Sequence, residues 1–148
     1  VQNWLFETGH PSLLYPDQAP EKLSLDTVLI SWDCSRAASR AVADALPILK
    51  RAKQVKVITV SGEKDLPAED TKTPLLEYLA AHEVNAQFDI VKIGGRHIGE
   101  VLLAEAASVR ADLIVMGAFG HSRMREFFLG GATSGVLEKA KLPILMSH

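Results

Sequence analysis

Between Asp112 and Gly117 lies an unbroken apolar run, Leu113 to Met116. A run so short, with no polar alternation, suits a strand covered on both faces, as in a parallel sheet. The chain repeats the pattern. Leu25 to Trp32 holds Val28-Leu29-Ile30, and Ile144-Leu145-Met146 is a similar run; Val55 to Val60, rich in β-branched residues, and Phe88 to Ile93 read as further strands. Helical patterns lie between them. From about Ser35 to Arg51, Ala37, Ala38, Ala41, Val42, Ala45, Leu46 and Leu49 share one helical face. Pro47 falls inside this pattern and predicts a kink or an end to its regular part. Residues 61–70 read as a charged loop, and Thr73-Pro74 as the opening of the next helix. Further helices are predicted over about Ile98 to Val109 and about Thr133 to Ala140, the last stopped by Pro143. Strands alternating with helices predict an α/β fold with a parallel sheet and helices on both faces.

The stretch after Met116 is the most site-like. Gly117 and Gly120 precede a polar and basic middle, His121, Ser122, Arg123 and Arg125. Gly130-Gly131-Ala132 follow, and the helical pattern resumes at Thr133. A glycine loop entering a helix N-terminus can aim backbone N–H groups at an anion. It can equally be a long connection with ordinary turn glycines. Both readings stand on spacing alone.

Bulk properties exclude several classes. With 148 residues the chain can bury a sizeable core. A net charge of −2 offers no electrostatic attraction for nucleic acid or an anionic membrane, so neither is expected as a partner. No apolar run reaches membrane-span length. The single cysteine, Cys34, excludes an intrachain disulfide and fits a reducing cytoplasm. At a helix start Cys34 could be a reactive thiol; packing is the simpler role. The five histidines show no metal-ligand spacing.

Gly117-x2-Gly120-x9-Gly130, with Asp112-Leu-Ile-Val-Met-Gly before it and Leu129-Gly-Gly-Ala-Thr133 at its end, resembles the nucleotide-binding signature of the universal stress protein family. The resemblance covers residues 25–148. It implies an open, doubly wound, five-stranded parallel sheet of order 3-2-1-4-5, Rossmann-like and related to the adenine nucleotide alpha hydrolases. It implies an adenine nucleotide, ATP or AMP, with Mg²⁺ as a candidate companion. The nucleotide would lie between the loop after the first strand and the glycine loop after the fourth, at the switch point. The positions carried over are Asp33 against the nucleoside, Val60 at the adenine edge, and Met116, Gly117, Gly120, Gly130 and Thr133 around phosphate. His121, Ser122, Gly131 and Ala132 complete the loop. Gly131 departs from the family, which has a hydroxyl residue there. Asp33 could instead cap the helix after it. The implied role is stress-response regulation in the cytoplasm, with at most very slow ATP hydrolysis. The alternatives are a dimerisation module with an empty site and, behind it, a slow hydrolase.

Residues 1–24 read differently. Glu7 to Tyr15 and Glu138 to Met146 both read as a helix end, a proline and a short apolar strand. Residues 1–24 therefore resemble the end of a preceding copy followed by a linker, against the plain alternative of a disordered arm. The family order puts the last strand at a sheet edge, which invites pairing. Residues 1–16 are expected to cover that edge, folded back or exchanged, with a homodimer or a tandem-domain pair as the partner arrangement.

Overall fold

A computed structural model describes residues 9–62, 68–118 and 139–148. In chain order these hold β1 (Ser12–Leu14), β2 (Thr27–Ser31), α1 (Arg36–Leu49), β3 (Gln54–Ser61), α2 (Ala68–Ala81), β4 (Ala86–Lys92), α3 (Ile98–Ser108), β5 (Leu113–Gly117) and β6 (Ile144–Ser147). They form one sheet of order β1-β6-β5-β2-β3-β4. β2 through β6 are mutually parallel and reproduce the expected 3-2-1-4-5 order. The sheet departs from expectation in having six strands. β1 adds to the β6 edge, antiparallel, because that edge would otherwise carry unpaired backbone groups.

Every residue of β2 and β5 is buried, which is why those segments carry no polar alternation. The pleat sends alternate side chains to two cores. Val28 and Ile30 join Val115, Leu145, Ala41, Ala45 and Leu79 on the side of α1 and α2. Leu29 joins Ile58, Ile114, Met116, Leu102 and Ile144 on the side of α3. Each fully buried Leu or Ile adds about 1.5–3 kcal/mol, so the two layers drive the fold.

The helix starts repay attention to caps. Ser35 accepts the Ala38 N–H at 3.0 Å and begins α1, while Pro47 lies inside that helix two residues before its end. The next start overturns the reading of Thr73-Pro74 as an opening. α2 begins at Ala68 and Pro74 is interior. Glu69 and Asp70 sit in its first turn, where carboxylates meet the positive end of the helix dipole. Burial of Leu75 and Leu79 offsets the hydrogen bond Pro74 cannot donate. The expected helix over 133–140 falls almost wholly outside the described residues.

Candidate functional site

From β2 the chain steps to β3 and β4 on one side, then returns to β5 and β6 on the other. The strand order therefore reverses between β2 and β5. In open parallel sheets the crevice beyond the carboxyl ends at such a point is where ligands bind.

The turn leaving β2 is built from Trp32, Asp33, Cys34 and Ser35. Trp32 extends the ladder, donating its N–H to Ile58 O at 2.8 Å and accepting the Thr59 hydroxyl at 2.7 Å on its carbonyl. Cys34 takes a left-handed backbone, φ 64°, rare outside glycine. That conformation lets Asp33 Oδ1 accept the Ser35 N–H at 3.0 Å. Capping α1 thus falls to Ser35, and the capping role considered for Asp33 is reduced to bracing the cap residue. Asp33 Oδ2 is buried and has no hydrogen-bond partner among the described residues. Native proteins pair nearly all buried polar atoms, and an orphan calls for an explanation.

Ser31 is opposite Ile58 of β3 and Met116 of β5. Ser31 and Ile58 are the last pair of the β2–β3 ladder, and Asp33 and Val60 each lie two residues beyond it in sequence. Val60 is half-buried against the α3-side core. Met116 is 2% exposed inside that core, so only its backbone can meet a ligand. Gly117 has a clear structural duty. A Cβ there would lie 2.4 Å from Ala38 N and 2.5 Å from Ala37 C. Only glycine lets the first turn of α1 press onto the end of β5. Gly120, His121, Ser122, Gly130, Gly131, Ala132 and Thr133 lie outside the described residues.

Two features escaped the reading of the sequence. Ser147 closes β6 opposite Gly117, is 2% exposed, and its hydroxyl has no partner among the described residues. A polar residue ending an apolar strand was the available signal. The second is a cleft of about 470 Å³ between α1 and α2, lined by Trp32, Cys34, Val42, Thr71, Leu75 and Tyr78 among others. Thr71 Oγ1 accepts the Trp32 indole N–H at 3.0 Å and lies 3.1 Å from Cys34 Sγ. Cys34 is packed into this contact. Only the folded chain brings Trp32 and Thr71 together.

The sequence and fold match known proteins. A model of the universal stress protein family matches residues 25–148. A universal stress protein of Synechocystis sp. is 39% identical over 49 residues, 33% of this chain and 17% of that protein. One from Methanocaldococcus jannaschii is 36% identical over 58 residues, 39% of this chain and 35% of its own length. The matched stretches thus span about a third or less of these curated relatives. Among solved structures, a universal stress protein of Archaeoglobus fulgidus superposes with a TM-score of 0.73 at 23% identity, covering 97% of this chain and 51% of the other. A universal stress protein in complex with cAMP superposes with a TM-score of 0.59 at 23% identity, over 84% of this chain and 99% of that one. No helix among the described residues is long and apolar enough to cross a membrane.

Proposed function

The chain belongs to the universal stress protein family, and on that premise we propose that it binds an adenine nucleotide, ATP or AMP, in the crevice between the ends of β2 and β5. The observation that carries this is the orphaned Asp33 Oδ2 at the switch point. Among the described residues that carboxylate oxygen has no donor, and a nucleoside supplies donors through its ribose hydroxyls and exocyclic amine. Phosphate does not, and like charges repel, so the nucleoside end faces Asp33 and the phosphates face the other side of the crevice. On that side the chain runs into the loop carrying Gly120, His121, Ser122, Gly130, Gly131, Ala132 and Thr133. Val60, near the carboxyl end of β3, flanks the base. That a protein of this fold is known in complex with cAMP supports the ligand class.

Binding serves regulation rather than turnover in this reading. From Gly117 to Thr133 the loop contains no lysine, and Gly131 removes one hydroxyl. Charge developing on a transferred phosphoryl group has little preorganised stabilisation from such a loop. Mg²⁺, if bound, would neutralise phosphate charge.

Thermal melting with ATP, AMP and cAMP tests the proposal. A ligand at a hundredfold excess over its Kd adds about 2.7 kcal/mol, several degrees for a domain of this size. The Asp33→Ala variant should lose most of that shift. Absence of any shift at millimolar nucleotide, with no nucleotide released from denatured protein, would support the empty-site module instead.

A further inference from the structure

Asp33 is one of four residues between the end of β2 and the start of α1. Its own hydrogen bond, taken from the Ser35 N–H, reaches only two residues along the chain. That bond shapes the turn without fixing it to the rest of the fold. Two hydroxyls from other elements do the fixing. The Thr59 hydroxyl of β3 donates to the Trp32 carbonyl at 2.7 Å. Thr71, one turn into α2, reaches both chain neighbours of Asp33. Its Oγ1 accepts the Trp32 indole N–H at 3.0 Å and lies 3.1 Å from Cys34 Sγ.

The turn needs such a hold. Cys34 has φ 64°, a left-handed backbone that residues other than glycine rarely adopt, and the turn contains no glycine. Were Cys34 to relax to a negative φ, the Ser35 N–H would turn away from Asp33 Oδ1. The direction of Oδ2 would change with it. Trp32 is buried in the core on the side of α1 and α2, so its indole is a rigid arm for Thr71 to grip. A hydroxyl that only satisfied the indole N–H would have no need to meet Cys34. This one holds the turn on both sides of Asp33.

We propose that Thr71 is a positioning residue for Asp33: by gripping Trp32 and Cys34, its hydroxyl sets where Asp33 presents its free oxygen to a nucleotide. The effect on binding rests on the nucleotide reading given above; the hold on the turn does not. Thr71 acts from the cleft between α1 and α2, behind the turn, and only through Asp33.

The test compares Thr71→Val, which keeps the shape and removes the hydroxyl, with Thr71→Ser, which keeps the hydroxyl. Both are made in the full chain and read in two ways. The first uses no nucleotide. Amide hydrogen exchange at Ser35 reports the turn, and exchange at Ile30 within β2 reports the fold as a whole. Thr71→Val should lower Ser35 protection about fivefold relative to Ile30, the net contribution of one hydrogen bond. Thr71→Ser should leave that ratio as in the parent. The second readout is the Kd for AMP by calorimetry. It should rise about fivefold in Thr71→Val and return to the parent value in Thr71→Ser. Thr73→Val, at an exposed position of the same helix, should move neither readout. Where Thr71→Val loses its folded circular dichroism, Thr71→Ala carries the same readouts. Ser35 protection that falls no further than that of Ile30 overturns the positioning role, whether or not nucleotide binds. Equal losses from Thr71→Ser or Thr73→Val overturn it too. A loosened turn with AMP affinity unchanged overturns its link to binding. A parent chain that binds no AMP overturns the nucleotide reading alone, and exchange at Ser35 then decides the hold on the turn.

Discussion

The two ends of the sheet treat their aspartates differently. At the amino ends of β2 and β5, Asp112 Oδ2 accepts the Thr27 N–H at 2.8 Å, and Asp26 pairs with Lys53 at 2.6 Å. The backbone there is also closed: Lys53, Gln54 and Asp112 donate their N–H groups to Leu25, Asp26 and Thr27 carbonyls. At the carboxyl ends, among the described residues, Asp33 has one oxygen occupied and one without a partner, and the Ser147 hydroxyl is unmatched. Unpaired buried atoms cost stability. Among the described residues, the matched polar groups named here lie at one end of the strands and the unmatched ones at the other.

The sharpest way to break this contrast is Gly117→Ala. The new methyl would fall 2.4 Å from backbone that cannot rotate away. Either α1 or β5 must shift, at about 3 kcal/mol, the upper end of overpacking costs. Melting should drop by roughly 10 °C. A drop below two degrees would mean that α1 is not pressed onto β5 as described. The substitution would then be free to report on the crevice alone.

Asp33→Asn sharpens the contrast from the other side. The amide oxygen can still accept the Ser35 N–H, while the buried charge disappears. Burying a neutral amide costs less than burying a carboxylate. Stability should hold or rise by up to about 1 kcal/mol, and the nucleotide-induced melting shift should shrink. Such opposite changes mark a residue kept for binding rather than folding. A clear loss of stability with binding intact would move Asp33 into the same class as Asp112.

Asp112→Ala should do the reverse. It strips the Thr27 N–H of its acceptor in a part-buried position. Hydrogen bonds to charged groups contribute about 1.5–3 kcal/mol, and partial exposure brings the expected loss to the lower end of that range. Melting should fall by a few degrees, and the nucleotide response should be unchanged. Any weakening of nucleotide binding beyond the stability loss would couple the two ends and undo the division.

How much of this was legible in the residues follows from what each feature depends on. The parallel strands were, because burial on both faces writes itself as an apolar run, as at Leu113 to Met116. The start of α2 was not. Thr73-Pro74 has the local chemistry of a helix opening, and the first turn over Glu69 and Asp70 is held partly by Thr71 meeting Trp32, 39 residues away. Asp33 was legible as a site candidate, but its unmatched oxygen among the described residues became visible only in the folded turn after β2. Gly117 was legible as a glycine that mattered. Its visible duty, to admit α1, required knowing which backbone lay above it. β1 was legible as a strand seeking the last edge; its antiparallel register on β6 came only with the fold.

The smallest expected effect is at the closed end. The Lys53 ammonium, hydrogen-bonded to Asp26 and adding Coulomb attraction, holds the Asp26 carboxyl below its ordinary 3.8; in return the Lys53 value is raised above 10.5. A lowered carboxyl value gives stability that is present above the ordinary range and lost as pH falls through the lowered value. A raised amine value gives stability that is present below 10.5 and lost as pH rises through the raised value. Between those limits the pair's contribution is flat. Both groups are open to water and salt, so the pair adds little. Lys53→Met should therefore shift melting at pH 7 less than Asp112→Ala does. Even that small Lys53→Met shift should fade in 1 M salt, or as the pH is taken below the carboxyl range. A shift as large as that of Asp112→Ala, persisting in salt, would mean that Lys53 supports the strand ends by something other than charge. Its N–H bond to Leu25 O at 3.0 Å and its aliphatic stem are the groups to examine next.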